Sequence, residues 1–387
     1  MEKESINKVI GEVFNEIGDG IKSGNFGRKI KIGLTTLGGE HGVDEIVKGA
    51  MLASRKYGDF EIVLIGPKVD SPFKVYEAND AEETHKIMEE LLDSGEIDGC
   101  VTQHYNFPIG VSTVGRVITP GKGKEMILAT TTGTSSVNRV EGMVKNAIYG
   151  IIAAKSIGIK NPTVGILNLD GARQVEKILK EISKKGYEIN FADSLREDGG
   201  CVMRGNDLLA GTPDIMVCDT LTGNLLIKVF ASFTTGGDYE TLGYGYGPGI
   251  GEGYKRLVSI ISRASGAPLI CDALKYCADA AKGKVFEIED EEFKKLNKIN
   301  FKDILSSNCS VKPVDTNAKE AQAPPAKVVT YAVAGIDIMV LEDAVHKLWE
   351  NKIYSQSGMG CTGPVVLVSE DDADNAKKIL KESGFLS

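Results

Sequence analysis

The sequence predicts an α/β protein: a three-layer α/β/α sandwich with a mostly parallel sheet, followed by a small C-terminal α/β module. Short apolar segments of strand length alternate with amphipathic helical patterns, which is typical of a parallel sheet covered by helices on both faces. Of the 387 residues, 42% are apolar and 26% are charged, as in globular proteins that bury a large core. A polar segment with three prolines between residues 310 and 326 separates the two parts.

The strands of the sheet are predicted from apolar runs that are bounded by turn residues. The first strand is expected at residues 29–34, before a glycine-rich turn at Leu37–Gly42, and the second at 60–66. Further segments of the same kind lie at residues 98–103, 126–130, 163–167, 187–191 and 214–218.

Helices are predicted between these strands, where apolar residues recur at three- and four-residue spacing. The clearest apolar stripe runs from Val140 to Ile152. Similar patterns occur at residues 175–182 and 224–233, and an amphipathic helix is expected at 6–21, before the first strand.

The chain is expected to divide into four regions: an N-terminal helix at 1–28, an α/β body at 29–309, a linker at 310–326 and a C-terminal module at 327–387. About 60 residues is small for an independent core, so we expect the module to dock on the body. Within the module we expect strands at residues 327–333 and 364–368 and helices at 338–349 and 371–383.

Composition and charge exclude several classes of protein. The chain has 45 Lys and Arg against 54 Asp and Glu, a net charge of −9, and no basic run longer than a pair, which argues against nucleic-acid binding. It has no apolar stretch of about 18 residues that could span a membrane, and its N-terminus lacks the apolar core of a signal peptide. Seven cysteines without a C-x-x-C pair predict neither a zinc site nor a disulfide framework. We therefore expect a cytoplasmic protein with reduced cysteines and no bound metal.

Cys361 is the strongest candidate nucleophile. It lies in Ser357–Gly363, a segment with three glycines. The backbone N–H groups of Gly360, Thr362 and Gly363 could stabilise a thiolate and the carbonyl oxygen of an acyl group. The alternative is a small buried cysteine in a tight turn. Because Cys361 precedes its predicted strand, that strand would have to run antiparallel, or the loop would have to reach across the sheet.

Cys100 is a second candidate. On a strand, Cys100, Thr102 and His104 share one face, so His104 could act as a base that activates the thiol. The alternative is a core cysteine followed by a loop histidine, which the sequence favours without other evidence.

Two segments could bind an anion. Residues 236–253 have glycine at every second position from Gly243 onward, which fits a ligand-binding loop better than a helix or a central strand. The alternative is a lid or a packing loop. Residues 130–136 are expected to follow a strand and lead into a helix, where hydroxyl and N–H groups can hold phosphate. An ordinary helix cap is the alternative, and the candidate ligands are Thr131, Thr132, Gly133 and Thr134.

Three segments resemble motifs of the phosphate acyltransferases of phospholipid synthesis. Residues 159–168 are similar to that family's I-x-N-P-x-V-G-L-L-N, residues 213–224 to its D-V-V-V-C-D-G-F-T-G-N, and Leu37–Glu40 to its M-G-G-D. They fall in order within roughly residues 28–285. The resemblance implies an α/β/α sandwich that passes an acyl group from a carrier thioester to inorganic phosphate.

Two elements differ from that family. The family's D-V-G-A-N motif is replaced here by Thr130–Ser135. Its Lys-x-His-Gly-Ser motif is replaced by Ser262–Gly266, which contains Arg263 and no histidine. With the added module that carries Cys361, the whole chain resembles the α subunits of component C of the glycine, sarcosine and betaine reductase complexes.

This second resemblance implies a role in amino-acid fermentation by strict anaerobes, in a hetero-oligomer with the β subunit of component C. A selenoprotein A would deliver a carboxymethyl group on selenium, and phosphate would release the resulting acetyl thioester as acetyl phosphate. It implies Cys361 as the acetyl carrier, Cys100 as the thiolate that attacks selenium, and phosphate held near Thr131–Thr134 and Arg263. No organic cofactor is implied.

Three other functions stay open at this point. One is a stand-alone phosphate acyltransferase that uses CoA or carrier thioesters, and another is a non-catalytic subunit that docks the selenoprotein. A nicotinamide dehydrogenase is disfavoured because the dinucleotide fingerprint is missing.

Overall fold

The computed structural model describes residues 29–309, 323–336, 340–360 and 363–386, together with Gly11, Phe14, Ile17, Gly18 and Ile21. Most of the expected N-terminal helix and of the linker lies outside the described residues. No helix among those described is long and apolar enough to cross a membrane.

The body contains a large mixed sheet with helices on both faces, which confirms the predicted fold class. Its strands are β1 Lys31–Thr35, β2 Glu61–Gly66, β3 Lys74–Glu77, β4 Gly99–Thr102, β5 Ser112–Ile118, β6 Glu125–Gly133, β7 Thr163–Leu167, β8 Asn190–Phe191, β9 Val202–Met203, β10 Ile215–Val217, β11 Gly247–Ile250 and β12 Val258–Ile260. Its helices are α1 Gly42–Lys56, α2 Ala81–Asp93, α3 Arg139–Ser156, α4 Ala172–Lys184, α5 Gly205–Ala210, α6 Thr220–Ser232, α7 Ala267–Lys282, α8 Val285–Lys298 and α9 Phe301–Cys309.

The strand order is β3-β2-β1-β4-β12-β11-β5-β6-β10-β7-β8, and β9 also pairs with β7. The strands from β3 to β12 are parallel to one another, as are those from β6 to β8. Between these halves, β11 and β5 pair antiparallel with each other and with their outer neighbours. The two parallel halves therefore point in opposite directions.

Two apolar cores lie on the two faces of this sheet. The larger core packs α1, α3, α4, α7, α8 and α9 against one face. The smaller core lies on the other face, where residues of α2 and α6, such as Met88 and Ile227, pack over Cys100, Leu128 and Met216. Both faces are covered, as the alternation of strands and helices predicts.

The glycine-rich segment is where the structure departs most from the sequence prediction. Residues 247–250 form β11, a strand at the centre of the sheet, whereas the glycine spacing argued against a central strand. Gly247 has a φ of +78°, and a side chain there would overlap the carbonyl oxygen of Val114. Gly249 leaves room for the ring of Phe107. Glycine is required here because neighbouring groups approach the backbone so closely.

The C-terminal module is a small antiparallel sheet with two helices. Its strands β13 Tyr331–Ala334, β14 Ser355–Gly360 and β15 Gly363–Val368 pair in the order β13-β15-β14, and α10 Leu341–Glu350 and α11 Ala373–Glu382 cover it. Strand β14 occupies the segment expected to be a turn, because its glycines pair in register with β15, as Gly360 does with Gly363. Strand β15 does run antiparallel to its neighbours, one of the two arrangements anticipated for Cys361.

We predict that Gly247→Ala lowers the free energy of unfolding by more than about 3 kcal/mol, since it adds steric overlap to an unfavourable φ. Gly253→Ala is the matched control, because Gly253 also has a φ of +78° but open space around its Cα, and it should cost about 1 kcal/mol. Urea denaturation of both variants tests this. Equal losses would show that the close approach to Val114 contributes nothing.

Candidate functional site

The strand directions create two distinct edges of the sheet where functional residues gather. Strands β1, β4 and β12 end at one edge, and the chain continues from β12 into Arg263; we call this the Arg263 edge. Strands β6, β7 and β10 end at the opposite edge, beside Thr134, which we call the Thr134 edge. In α/β sheets, ligands bind at the carboxyl ends of strands, so both edges are candidates.

The loop Ser262–Gly266 forms the centre of the Arg263 edge, and the backbone N–H groups of residues 264–267 are engaged within the protein. The N–H groups of Ala264 and Ser265 donate to the side chain and carbonyl of Ser262, at 3.2 Å each. Those of Gly266 and Ala267 donate to the carbonyl of Glu240 at 2.9 Å and to a Glu45 carboxylate oxygen at 3.0 Å. An anion at this loop would therefore be held by side chains rather than by a nest of backbone N–H groups.

Arg263 supplies a side chain suited to this task. It is exposed, and its guanidinium makes no hydrogen bond or ion pair with any residue that the structure describes. Its backbone is fixed, because the Arg263 carbonyl accepts a hydrogen bond from the Glu40 N–H at 2.8 Å. A positioned guanidinium without an internal partner can bind phosphate or carboxylate through two parallel hydrogen bonds.

Two helices begin at this edge, and Asp44 and Glu45 in the first turn of α1 partly offset the positive charge of these helix starts. Helix α1 starts at Gly42 after His41, with no side-chain hydrogen bond at its cap, and α7 starts at Ala267 directly after the loop. The N-terminus of a helix carries partial positive charge. His41 stacks edge-on against Tyr239 at 5.0 Å between ring centroids, which keeps its imidazole beside this edge.

His104 also lies at the Arg263 edge, two residues beyond β4. It is exposed, and its ring lies 6.4 Å from that of His85, measured between centroids. The structure does not pair it with Cys100: the hydrogen bond described for the Cys100 sulfur goes to the Val101 carbonyl at 3.7 Å. Its predicted role as the base for Cys100 therefore has no support in this arrangement.

Cys100 lies in the apolar core beneath α2, not at a surface. Its exposed fraction is 0%, with Ile65, Met88 and Ile97 in the same core. Burial raises the pKa of the Cys100 thiol well above its ordinary value, because the thiolate loses its hydration. The expectation of a reactive thiolate is therefore wrong for this conformation, since β4 is covered on both faces.

The predicted phosphate cradle is also arranged differently. Strand β6 continues through Thr131 to Gly133, because Thr132 and Gly133 pair with Thr113 and Ser112 at the start of β5, beyond a bulge that contains Thr131. The buried Thr131 hydroxyl is engaged by Thr113 at 2.8 Å and by the Tyr246 carbonyl at 2.9 Å. Thr132 and Gly133 are half-buried and Thr134 is exposed. Thr131–Thr134 and Arg263 lie at opposite edges, so the structure does not join them in one site.

Two of the three segments that carry the acyltransferase resemblance, at residues 159–168 and 213–224, lie at the Thr134 edge, whereas Leu37–Glu40 lies at the Arg263 edge. The charges of the Thr134 edge are neutralised internally. Arg139 pairs with Asp219 at 3.0 Å and lies 3.6 Å from Asp170. Asp219 also caps α6 by accepting a hydrogen bond from the Thr222 N–H, and the Asn224 amide donates to the Thr131 carbonyl at 3.0 Å. With these carboxylates present, the Thr134 edge is less suited to an anion than the Arg263 edge.

Cys361 and Thr362 lie outside the described residues, and their predicted roles stay predictions. Gly360 and Gly363, on either side of them in the sequence, end β14 and begin β15. Among the described cysteines, Cys100, Cys201, Cys218, Cys271 and Cys277 are buried, and Cys309 is partly exposed. No cluster of metal-ligating side chains occurs in the described part of the chain.

Glu240 and Gln103 are residues of the Arg263 edge that sequence reasoning missed. Glu240 lies beneath the Ser262–Gly266 loop, and its exposed fraction is 5%. The Gln103 amide donates to the Thr35 carbonyl at 3.2 Å. A charged residue inside a glycine-rich segment is the one signal that could have drawn attention to Glu240.

Comparison with known proteins finds a family model and several proteins that match this chain. The family model described as "Fatty acid synthesis protein" matches residues 30–367. The chain is 58% identical to the glycine/sarcosine/betaine reductase complex component C subunit alpha of Peptoclostridium acidaminophilum, over 99% of each chain. It is 28% identical to a phosphate acyltransferase of Thermotoga petrophila, over 52% of this chain and 67% of that one.

Among solved structures, the chain is similar to a branched-chain phosphotransacylase of Enterococcus faecalis. The sequences are 17% identical, the match covers 65% of this chain and 99% of that one, and the TM-score is 0.44.

We predict that Cys309 reacts with iodoacetamide at neutral pH at least about tenfold faster than Cys100 in the native protein, because a buried thiol is both inaccessible and protonated. Peptide mass spectrometry after timed labelling measures both rates, and labelling in denaturant, where the two should react alike, is the control. Fast native labelling of Cys100 would contradict the burial described here.

Proposed function

Because the chain belongs to the fatty acid synthesis protein family and to that of the component C α subunits, we propose that it transfers an acetyl group to inorganic phosphate, giving acetyl phosphate. Family membership supports a role in acyl or phosphate transfer, and the identity of 58% to a component C subunit supports work within a reductase complex. The observation that carries the proposal is the unengaged guanidinium of Arg263 at the carboxyl ends of β4 and β12.

In the proposed reaction, the acetyl group is bound as a thioester on Cys361. An oxygen of phosphate forms a bond to the thioester carbonyl carbon, the carbon–sulfur bond breaks, and the sulfur leaves as the thiolate. Arg263 binds and orients the phosphate, and the helix starts beside it help to offset the charge of the phosphate. The N–H groups of Gly360, Thr362 and Gly363 are proposed to stabilise the oxyanion.

The proposed source of the acetyl group is a carboxymethyl group on a selenoprotein A, with the β subunit of component C completing a hetero-oligomer. A thiolate of the complex attacks selenium, so that a sulfur–selenium bond forms and the carbon–selenium bond breaks. The carbon fragment loses hydroxide, the Cys361 thiol adds to the resulting ketene-level fragment, and a further thiol reduces the sulfur–selenium bond by exchange. We do not assign the attack on selenium to Cys100, because its thiol is buried. Arg263 alone of the predicted phosphate ligands is kept, since Thr131 is engaged within the sheet.

A second candidate is a stand-alone phosphate acyltransferase that uses CoA or carrier thioesters. The match to the Thermotoga petrophila phosphate acyltransferase favours it. The two candidates differ in whether an acetyl group is ever bound to the protein.

We expect Arg263→Gln to reduce kcat/KM for phosphate by about 100-fold, because the variant loses the charge that binds and orients phosphate. The assay is exchange of radiolabelled phosphate into acetyl phosphate, catalysed by the protein with its β subunit. Arg139→Gln is the matched control, since Arg139 lies at the Thr134 edge and is paired with Asp219. If Arg139→Gln alone abolished exchange, phosphate would bind at the Thr134 edge instead.

We expect Cys361→Ala to abolish both this exchange and the acetyl-enzyme that forms from labelled acetyl phosphate. Mass spectrometry of the intact subunit detects the added acetyl group, and Cys309→Ala is the control that should retain it. Exchange that survives in Cys361→Ala only when CoA is added would favour the second candidate, in which CoA and not the protein carries the acetyl group.

A further inference from the structure

Glu240 is a buried carboxyl group directly beneath the loop that presents Arg263. Its N–H donates to the Ala264 carbonyl at 2.9 Å, and its own carbonyl accepts from the Gly266 N–H at 2.9 Å. Its carboxylate accepts from the Ser265 hydroxyl at 3.3 Å. A strand-like bridge joins Glu240 and Ser265. One residue therefore holds three consecutive positions of the loop.

The carboxyl group is not needed to fix the backbone of this loop. The two main-chain hydrogen bonds would form with any residue at position 240, and a neutral amide could accept from Ser265 equally well. A buried ionisable group carries a desolvation cost that an amide avoids. The position thus has a titratable group where a neutral one would be sufficient for the fold.

We propose that Glu240 is a positioning residue whose proton controls anion binding at Arg263: the site binds an oxyanion tightly when Glu240 is protonated and weakly when it is ionised. The inference rests on the proposed function only in taking Arg263 as the anion ligand. A negative charge beneath the loop opposes a second negative charge bound above it, and the burial of Glu240 reduces the solvent screening between the two.

The groups around Glu240 act on its proton in opposite directions. Burial is the largest influence and raises the pKa of Glu240, and the nearby charge of Glu40 acts in the same direction. Hydrogen bonds from Ser262 and Ser265 and the charge of Lys228 lower it. The Tyr246 side chain also lies close, hydrogen-bonded to Ser262, and Arg263 itself belongs to the loop. The net direction is upward.

The sign of the effect follows from this raised pKa. Below the pKa of an unfolded glutamate, the group is neutral in both states and anion binding is at its strongest. As pH rises through the folded pKa, Glu240 ionises, and both anion affinity and its contribution to folding stability fall. This is opposite to the behaviour of a carboxylate in an ion pair, whose stabilisation appears as pH rises.

The test is the affinity of the full-length protein for sulfate, measured by calorimetry from about pH 4 to about pH 8, a range that brackets the titration of a carboxyl group. Sulfate is used because its own charge does not change in that range. We expect affinity to fall roughly three- to tenfold as pH rises, a size typical of repulsion between two like charges of which one is buried. In Glu240→Gln, which keeps an acceptor for Ser265, this fall in sulfate affinity with rising pH should disappear.

Glu289→Gln is the matched control. Glu289 is also buried, with a pKa raised by burial, and it accepts from the Gly253 N–H at 2.8 Å, outside the loop that presents Arg263. This variant should keep the wild-type pH dependence of sulfate binding. An unchanged pH dependence in Glu240→Gln would overturn the proposal. Sulfate binding that survives Arg263→Gln would instead show that the anion site is elsewhere, and this outcome counts against the proposed function.

Discussion

The reversal of strand direction at the centre of the sheet is the constraint on which the rest of this molecule depends. Two parallel halves can be joined edge to edge in opposite directions only if the strands between them pair antiparallel. Strands β5 and β11 provide that junction, and β11 can lie there because glycines at 247 and 249 leave space for Val114 and Phe107. The positions of both candidate edges follow from this junction.

The two edges contain similar types of residue and differ in whether their arginine is paired with a carboxylate. Each edge has helix starts, hydroxyl groups and an arginine. At the Thr134 edge, Arg139 is paired with Asp219, and the Thr131 hydroxyl is engaged within the sheet. At the Arg263 edge the guanidinium has no partner among the described residues, while the carboxyl groups beside the loop are those of Glu240, buried beneath it, and Glu45, which accepts from the Ala267 N–H. Of the two arginines, only Arg263 is left available to a ligand.

Much of the fold could be predicted from the sequence, because the periodicity of apolar residues reports directly which segments are strands and helices. The helix from Arg139 to Ser156 is where the stripe from Val140 to Ile152 predicts it. Strand β11 could not be predicted, since its side-chain pattern is set by neighbours distant in sequence. The burial of Cys100 agrees with the core cysteine that the sequence favours, but its depth could not be predicted, because alternation assigns a residue to a face of a strand and does not show how deeply that face is covered. Arg263 was found through a family resemblance, and nothing local distinguishes it from an ordinary surface arginine.

The internal hydrogen bonds of the Ser262–Gly266 loop affect which anions can bind beside it. A ring of free backbone N–H groups surrounds a bound anion and is selective for its size. Here the N–H groups of residues 264–267 instead donate within the protein, to Ser262, Glu240 and Glu45. An anion is then recognised by the Arg263 side chain, whose guanidinium binds according to the number and spacing of the anion's oxygens. In the proposed acyl transfer, arsenate, a slightly larger tetrahedral oxyanion, should therefore be accepted as readily as phosphate, and the acyl arsenate formed, a mixed anhydride, would be hydrolysed at once by water.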